Sequence, residues 1–330
     1  MSAGACFVVV RAAGERTEGA AARLAGLEVG EDAVATIREV PFARAIRRGF
    51  ELGVAAGRRW TLCLDADVLL APGAIDRLVE AAERASLEGP GLFEIEGVVA
   101  DKLLGQFRPA GAHLYRTDLL PEALREAAFD ARKRRPESQV KKQMRARGHR
   151  TLDVPIVMGL HDHEQFHRDI FRKVFTHARK HERYMRYAQR LWRRGAIEDD
   201  DFRVALLSYR LSAAINELTD LDDVPLNERV SIDLRAFPDN LDAILVPAGL
   251  AEKPALAADD IGPAEVEAAL ARFREAPEFL RARPVALASG RGRLRRALAH
   301  VEGYGLLGAV REYGAVQVAR LGHRLGGGPV

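Results

Sequence analysis

The run Thr61 to Leu70, TLCLDADVLL, constrains this chain more than any other stretch. Preceded by Trp60, it is aliphatic and β-branched and has the length of a buried strand. Two acids, Asp65 and Asp67, interrupt it before Val68-Leu69-Leu70, and Ala71-Pro72-Gly73 ends it. Acids at i and i+2 point to the same side of a strand, so the pair is expected to converge on one hard cation or on the hydroxyls of one ligand. Ligands of open α/β sheets bind outside the carboxyl ends of strands, which is where the pair would sit. An acidic turn after a buried strand is also common, and the pair alone does not separate the two readings.

The order of elements around this strand sets the fold class. Ala5 to Val10 is a short β-branched run that reads as a first, central strand; Gly14 turns the chain, and Glu15 to Leu27 has helical spacing and alanine content. Val34 to Val40 reads as the next strand. Phe42 to Gly57 reads as an amphipathic helix with Ala43, Ile46, Phe50, Leu52 and Val54 on its apolar face. After the acid pair, Pro72 suits the first turn of a helix running to about Ser86. Strand and helix alternating three times predicts a doubly wound, mostly parallel, Rossmann-like α/β sheet. Leu92 to Val99 and Gly111 to Arg116 read as two further strands joined by Asp101 to Pro109. Leu119 to Ala131 and Glu137 to Arg147 read as helices, and Leu152 to Met158 as a last strand. From Glu164 onward Phe166, Ile170, Phe171, Val174, Phe175 and Ala178 recur at helical spacing, and the pattern continues past Trp192 and from Phe202 to Ile215. A Pro- and Asp-rich interruption runs from about Thr219 to Asp260. Pro263 to Phe273 and Ala297 to Leu321 offer more helix. The expected division is a sheet domain over 1–165 and a mostly helical region over 166–330.

The 330 residues supply ample core material, and a net charge of +3 demands no polyanionic partner. Cys6 and Cys63 lie in apolar strand-like runs and read as buried free thiols, which points to a reducing compartment. The N-terminus lacks the basic and long apolar regions of a signal peptide, and no stretch approaches 18 uninterrupted apolar residues. The expectation is a soluble, cytoplasmic protein. The apolar content of the last helix suits a cover over the active-site face, a dimer contact or a peripheral place on the inner membrane surface alike.

Three groups join the acid pair as carriers of chemistry: Arg11 to Thr17 after the first strand, Pro136-Glu137-Ser138 opening a helix, and Gly159-Leu160-His161-Asp162-His163 past the last strand. Taken with LDADVLL on the third strand and GAHLYR on a later one, this ordered set resembles the GT-A glycosyltransferases of family 2, over roughly residues 5 to 170. The family holds a divalent ion against the diphosphate of a nucleotide sugar through a DxD motif, which Asp65, Ala66 and Asp67 match. The resemblance implies Mn²⁺ or Mg²⁺ as cofactor, with Asp67 and Asp65 as ligands and Asp65 also near the ribose. It implies His161 as a further ligand, Arg11 and Glu15 toward the nucleotide, and Glu137 as the base that deprotonates the acceptor hydroxyl, with inversion. The usual Glu-Asp pair reads Glu137-Ser138 here, so Glu137 reads equally as base or as a first-turn acid complementing its helix dipole. The implied partners are a nucleotide-sugar donor and a glycan or glycoconjugate acceptor.

Between Arg132 and Arg150 stand nine Lys or Arg residues and one acid, Glu137. They form either a solvated basic face or a surface toward phosphates, an acidic glycan or anionic lipid. Nucleic acid is not expected, because aromatics are not interleaved. Two other enzyme classes compete. His163-Glu164-Gln165-Phe166-His167 spells HExxH, which on a helix would put two histidines on one face for Zn²⁺ with Glu164 as general base of a metallohydrolase. LDADVLL also resembles the acid motif of haloacid-dehalogenase-like phosphatases, but stands on the third strand rather than the first. A nucleotide-sugar-binding domain without catalysis is the non-enzyme alternative.

Overall fold

A computed structural model describes residues 3–129, 136–180, 182–218 and 241–275. All of them fall within one compact unit, Met1–Leu280. The chain is an α/β protein with one seven-stranded sheet in the order β2-β1-β3-β6-β5-β7-β4. Its strands are β1 (Cys6–Arg11), β2 (Val34–Ile37), β3 (Trp60–Asp65), β4 (Val68–Leu70), β5 (Leu92–Asp101), β6 (Gln106–Arg116) and β7 (Arg150–His161). The sheet is mixed rather than mostly parallel. β1 runs parallel to β2 and β3, and β5 parallel to β7, whereas β3–β6, β5–β6 and β4–β7 are antiparallel. The reason is a hairpin: the turn Lys102–Gly105 returns the chain directly from β5 into β6, and β6 starts five residues earlier than its sequence pattern suggests.

Helices cover both faces. α1 (Glu18–Val29) and α3 (Ala74–Leu87) bury Leu24, Ala25, Ile75 and Leu78 against Leu62 and Leu64 of β3. On the other face α2 (Phe42–Ala56), α4 (Leu120–Glu126) and α5 (Pro136–Ala146) bury Ile46, Phe50, Leu120, Val140 and Met144 against Cys63, Phe93 and Tyr115. Alternate side chains of β3 thus feed opposite cores, as the two-residue period of a strand requires. Val54, expected on the apolar face of α2, is exposed instead. Cys6 and Cys63 are buried and free, as expected.

The acid-bearing stretch is not one strand. It breaks at Ala66-Asp67, and β4 leaves β3 to pair with β7 at the far end of the strand order. The sheet therefore curls until β4 lies against β6. Gly111 makes this close approach possible: its φ is 66°, and a β carbon there would come 2.7 Å from Val68 Cγ2. At Gly159 a β carbon would run into the Leu69 carbonyl oxygen, so the β4–β7 contact also needs a glycine.

Three helices follow the sheet: α6 (His167–Lys180), α7 (Glu182–Gly195) and α8 (Asp200–Leu218). Ile170, Phe171, Val174 and Phe175 form a second core with Trp192, Val204 and Leu103 of the β5–β6 turn. The helix Pro263–Glu275 returns to the sheet, burying Val266 and Leu270 in the first core. No helix among the described residues is long and apolar enough to cross a membrane. The helix expected over Ala297 to Leu321 lies outside the described residues.

Candidate functional site

Arg11, Asp65, Asp101 and His161 are the last residues of β1, β3, β5 and β7. These four strands run in the same direction, so one edge of the sheet collects all four side chains at its carboxyl ends. They resolve into two neighbouring charge clusters.

The first cluster is closed on itself: its charged groups pair with one another, although the Asp65 side chain keeps 30% of its surface exposed. Arg11, 4% exposed, donates from Nε to Asp65 Oδ1 at 2.9 Å and from Nη1 to Glu137 Oε1 at 2.8 Å. Tyr115 Oη donates to the same Glu137 oxygen at 2.8 Å, while His113 Nε2 lies 3.0 Å from Glu137 Oε2. His113 Nδ1 reaches Glu94 Oε1 at 2.8 Å, and Lys141 Nζ lies 2.8 Å from both Glu94 Oε1 and Glu96 Oε2. Burial opposes the charge on Glu137, but Arg11 and His113 outweigh it and hold its carboxyl well below the usual range. Burial likewise opposes protonation of His113, and Glu137 and Glu96 more than reverse that. Both oxygens of Glu137 are engaged and its proton affinity is low, so in this arrangement it is a poor general base. Arg11 faces Asp65 and Glu137.

The second cluster is largely buried but opens on one side, where the Lys173 side chain is 28% exposed. The chain breaks after β3, and the two acids take different partners, Asp65 from β1 and Asp67 from α6 and β7, although Asp65 still feels the charge of Asp67. Asp67 Oδ2 accepts from Lys173 Nζ of α6 at 2.6 Å, and the same ammonium contacts Asp162 Oδ1. His161 Nε2 lies 3.7 Å from Asp67 Oδ1; its Nδ1 lies 2.9 Å from Asp162 Oδ2 and 3.1 Å from Asp101 Oδ2. Arg108 Nε donates to Asp101 Oδ2 at 2.6 Å. Burial works against the Asp67 charge, yet Lys173 and His161 depress its carboxyl well below the usual range. Burial would lower the His161 pKa, but Asp162 and Asp67 push it up to about 10. Asp162 is held in place by a left-handed backbone, φ 60°, and by its own amide, which donates to the Asp67 carbonyl at 3.2 Å.

Above this cluster opens a cavity of about 250 Å³ lined by Asp67, Asp162, Glu15, Asp169, Arg172 and Lys173, among others. Glu15, on the loop after β1, accepts from the Ala13 amide at 2.6 Å. The Asp67 loop is fixed from below: Thr17 Oγ1 donates to the Ala66 carbonyl at 2.7 Å, and Gln165 Nε2 donates to Thr17 Oγ1 at 2.7 Å.

Asp67, His161 and Asp162 offer ligand atoms that lie within 4.8 Å of one another. Two carboxylates and an imidazole are a donor set that suits Mn²⁺ or Mg²⁺. Asp67 Oδ1 is buried without a hydrogen-bond partner, while the Lys173 ammonium bridges the two carboxylates. Asp65, paired with Arg11, is outside this trio. Glu94, Glu96 and His113 are equally close together, but Lys141 fills their center.

The HExxH stretch does not form the zincin arrangement. Residues 163–166 precede the helix, Glu164 has a φ of 56°, and α6 begins at His167, so the two histidines do not share a helix face. Glu164 pairs with Arg16 at 2.9 Å, and His167 Nδ1 meets the Ala251 carbonyl at 2.9 Å. Burial and the nearby Lys102 lower the His163 pKa to about 4. The basic run also turns partly inward. Lys141 serves Glu94 and Glu96, Arg147 pairs with Glu122, and Arg150 donates to the carbonyls of Ala85 and Gly89. Arg132 to Arg135 lie outside the described residues.

Lys173, Asp101 and Arg108 were not among the residues singled out by sequence, and Asp162 stood in a named group without a role of its own. Asp169, Lys173 and His177 recur every four residues on α6 beside its apolar stripe, which is a readable signal for one polar wall. Glu94 and Glu96 inside the apolar run LFEIEGVV were a signal for a buried charge cluster.

Fold and site together define an α/β protein with a cavity at the carboxyl ends of its strands, lined by acids and by Arg172 and Lys173. No protein-family model, curated protein or solved structure matches the chain.

Proposed function

We propose that this chain is a divalent-cation-dependent glycosyltransferase of GT-A type, which transfers a sugar from a nucleotide donor to an acceptor hydroxyl of a glycan or glycoconjugate. The observation that carries this reading is the trio Asp67, His161 and Asp162 at the carboxyl edge of the sheet, opening on a cavity. Held by that trio, Mn²⁺ or Mg²⁺ would offset the charge that develops on a leaving nucleoside diphosphate. Asp101 and Asp162 flank Nδ1 of His161, and its Nε2 is the ring nitrogen on the side of Asp67. Glu15 and Asp169, which both line the cavity, would supply acceptors for donor hydroxyls. Arg11 acts from behind, holding Asp65 and tying α5 to the sheet edge through Glu137.

A second reading, a nucleotide-sugar-binding domain without catalysis, is favoured by one observation: Glu137, the candidate base, is held by three donors. Calorimetric titration with UDP, GDP and dTDP, each with Mn²⁺, Mg²⁺ or EDTA, tests the donor site on the wild type and on Asp67→Ala. One nucleotide is expected to bind with metal and with Asp67 intact. No binding of any nucleotide would sink the transferase reading, and binding without hydrolysis or transfer of the matching nucleotide sugars would select the non-catalytic one.

A further inference from the structure

Lys173 stands where a cation shared by Asp67 and Asp162 would stand. Its ammonium lies 2.6 Å from Asp67 Oδ2 and touches Asp162 Oδ1, bridging two of the three groups that could ligate an ion. We propose that Lys173 and a divalent cation exclude each other at this cluster, so that the ion loads only when Lys173 leaves. The proposal rests on the cation-dependent reading of the site and adds to it a resident, intramolecular competitor.

Two arguments carry it. The first is space and charge. The carboxylates of Asp67, Asp101 and Asp162 already face the Lys173 ammonium and the Arg108 guanidinium. Two of the three negative charges are therefore already offset. A divalent ion added beside the ammonium would put like charges a few ångströms apart in a poorly solvated place, where their repulsion is far stronger than in water. An ion that takes the place of the ammonium meets the same oxygens without that repulsion.

The second argument is the exit. Lys173 is the most exposed member of its contact set, at 28% for the side chain against 14% for Asp67 and 3% for Asp162. It projects from α6 on the cavity wall next to Arg172. A flexible four-carbon stem lets an ammonium swing aside without moving its helix. Once released, it remains on that wall as a positive group for the donor's diphosphate. The contrast with Lys141 is instructive: that ammonium bridges Glu94 and Glu96 in the same way, but its cluster is not among those lining the cavity.

Titration with Mn²⁺ followed by electron paramagnetic resonance, comparing the wild type with Lys173→Met and Lys173→Arg, tests the exclusion. Lys173→Met is expected to bind Mn²⁺ at least about tenfold more tightly, the size of one charge-assisted hydrogen bond, and Lys173→Arg to stay as weak as the wild type. A wild type that binds Mn²⁺ through Asp67 with an affinity that Lys173→Met leaves unchanged or weakens would overturn the exclusion and leave the donor reading intact. Absence of Mn²⁺ binding in both proteins would overturn both. Should Lys173→Met fail to fold, acylation of lysines in the wild type, mapped by mass spectrometry, gives an independent readout. Saturating Mn²⁺ should raise labelling of Lys173 several-fold and leave Lys141 unchanged; labelling of Lys173 that stays level or falls would overturn the proposal.

Discussion

Two clusters of buried carboxylates and histidine lie on the same sheet, each bridged by a lysine from a helix, and they differ in what lies above them. Glu94, Glu96 and His113 are covered by Lys141 and Glu137 and belong to the packed side of the sheet. Asp67, Asp162 and His161 meet Lys173 at the wall of a cavity. The same residue types therefore serve two ends. In the closed cluster the lysine is a permanent counter-ion that fixes α5 to the sheet; in the open one it can be exchanged. A short distance between acids and a histidine does not by itself make a site: access decides.

The largest test of this contrast is Lys141→Met. It removes one of the two cationic partners that Glu94 and Glu96 share, the other being His113, and loss of one partner of a buried pair costs about 3 kcal/mol. Denaturant unfolding should register that loss while nucleotide affinity at the open cluster stays the same. A loss well under 1 kcal/mol would mean that the closed cluster is as exchangeable as the open one.

Next in size is His161→Asn, expected to cost about 2–3 kcal/mol at neutral pH through the lost charge-assisted contacts. Its pH dependence has a definite sign. The folded-state pKa of about 10 is raised above the ordinary value, so the stabilisation is fully present below about pH 6.5 and disappears as pH rises through 10. The gap between wild type and variant should shrink over that range; a gap that is constant from pH 6 to 10 would refute the buried imidazolium.

Gly159→Ala should cost about 2 kcal/mol, because the β carbon forces Leu69 away from β7. Since β4 carries the chain onward from Asp67, nucleotide or Mn²⁺ affinity is expected to fall with it, and retention of full affinity would show that the curl of the sheet does not position the open cluster. The smallest effect is that of Tyr115→Phe, which removes one of three donors to Glu137 and should cost about 1 kcal/mol with the fold and ligand binding intact.

Much of the architecture was legible in one dimension. The strands at residues 6, 34 and 60 and the helices between them follow from hydrophobic period, alanine content and glycine stops, and these are local properties. The α6 stripe of Ile170, Phe171, Val174 and Phe175 was equally plain. The mostly parallel sheet was not obtained, because nothing in the strand compositions tells a hairpin at Lys102–Gly105 from a longer connection. The HExxH stretch shows the opposite failure, since its spacing is meaningful only on a helix and the helix starts at its last residue.

The sequence by itself determined that Asp65, Asp67 and His161 lie at or just past strand ends, because strand ends are written in local composition. It could not determine which of them face one another. That was decided by the break at Ala66, which sends β4 across to β7 and leaves Asp65 and Asp67 with different partners, and by α6, which brings Lys173 from 106 residues away onto Asp67. Pairing of charges across such distances depends on how strands order and curl, and those are properties of the packed sheet as a whole.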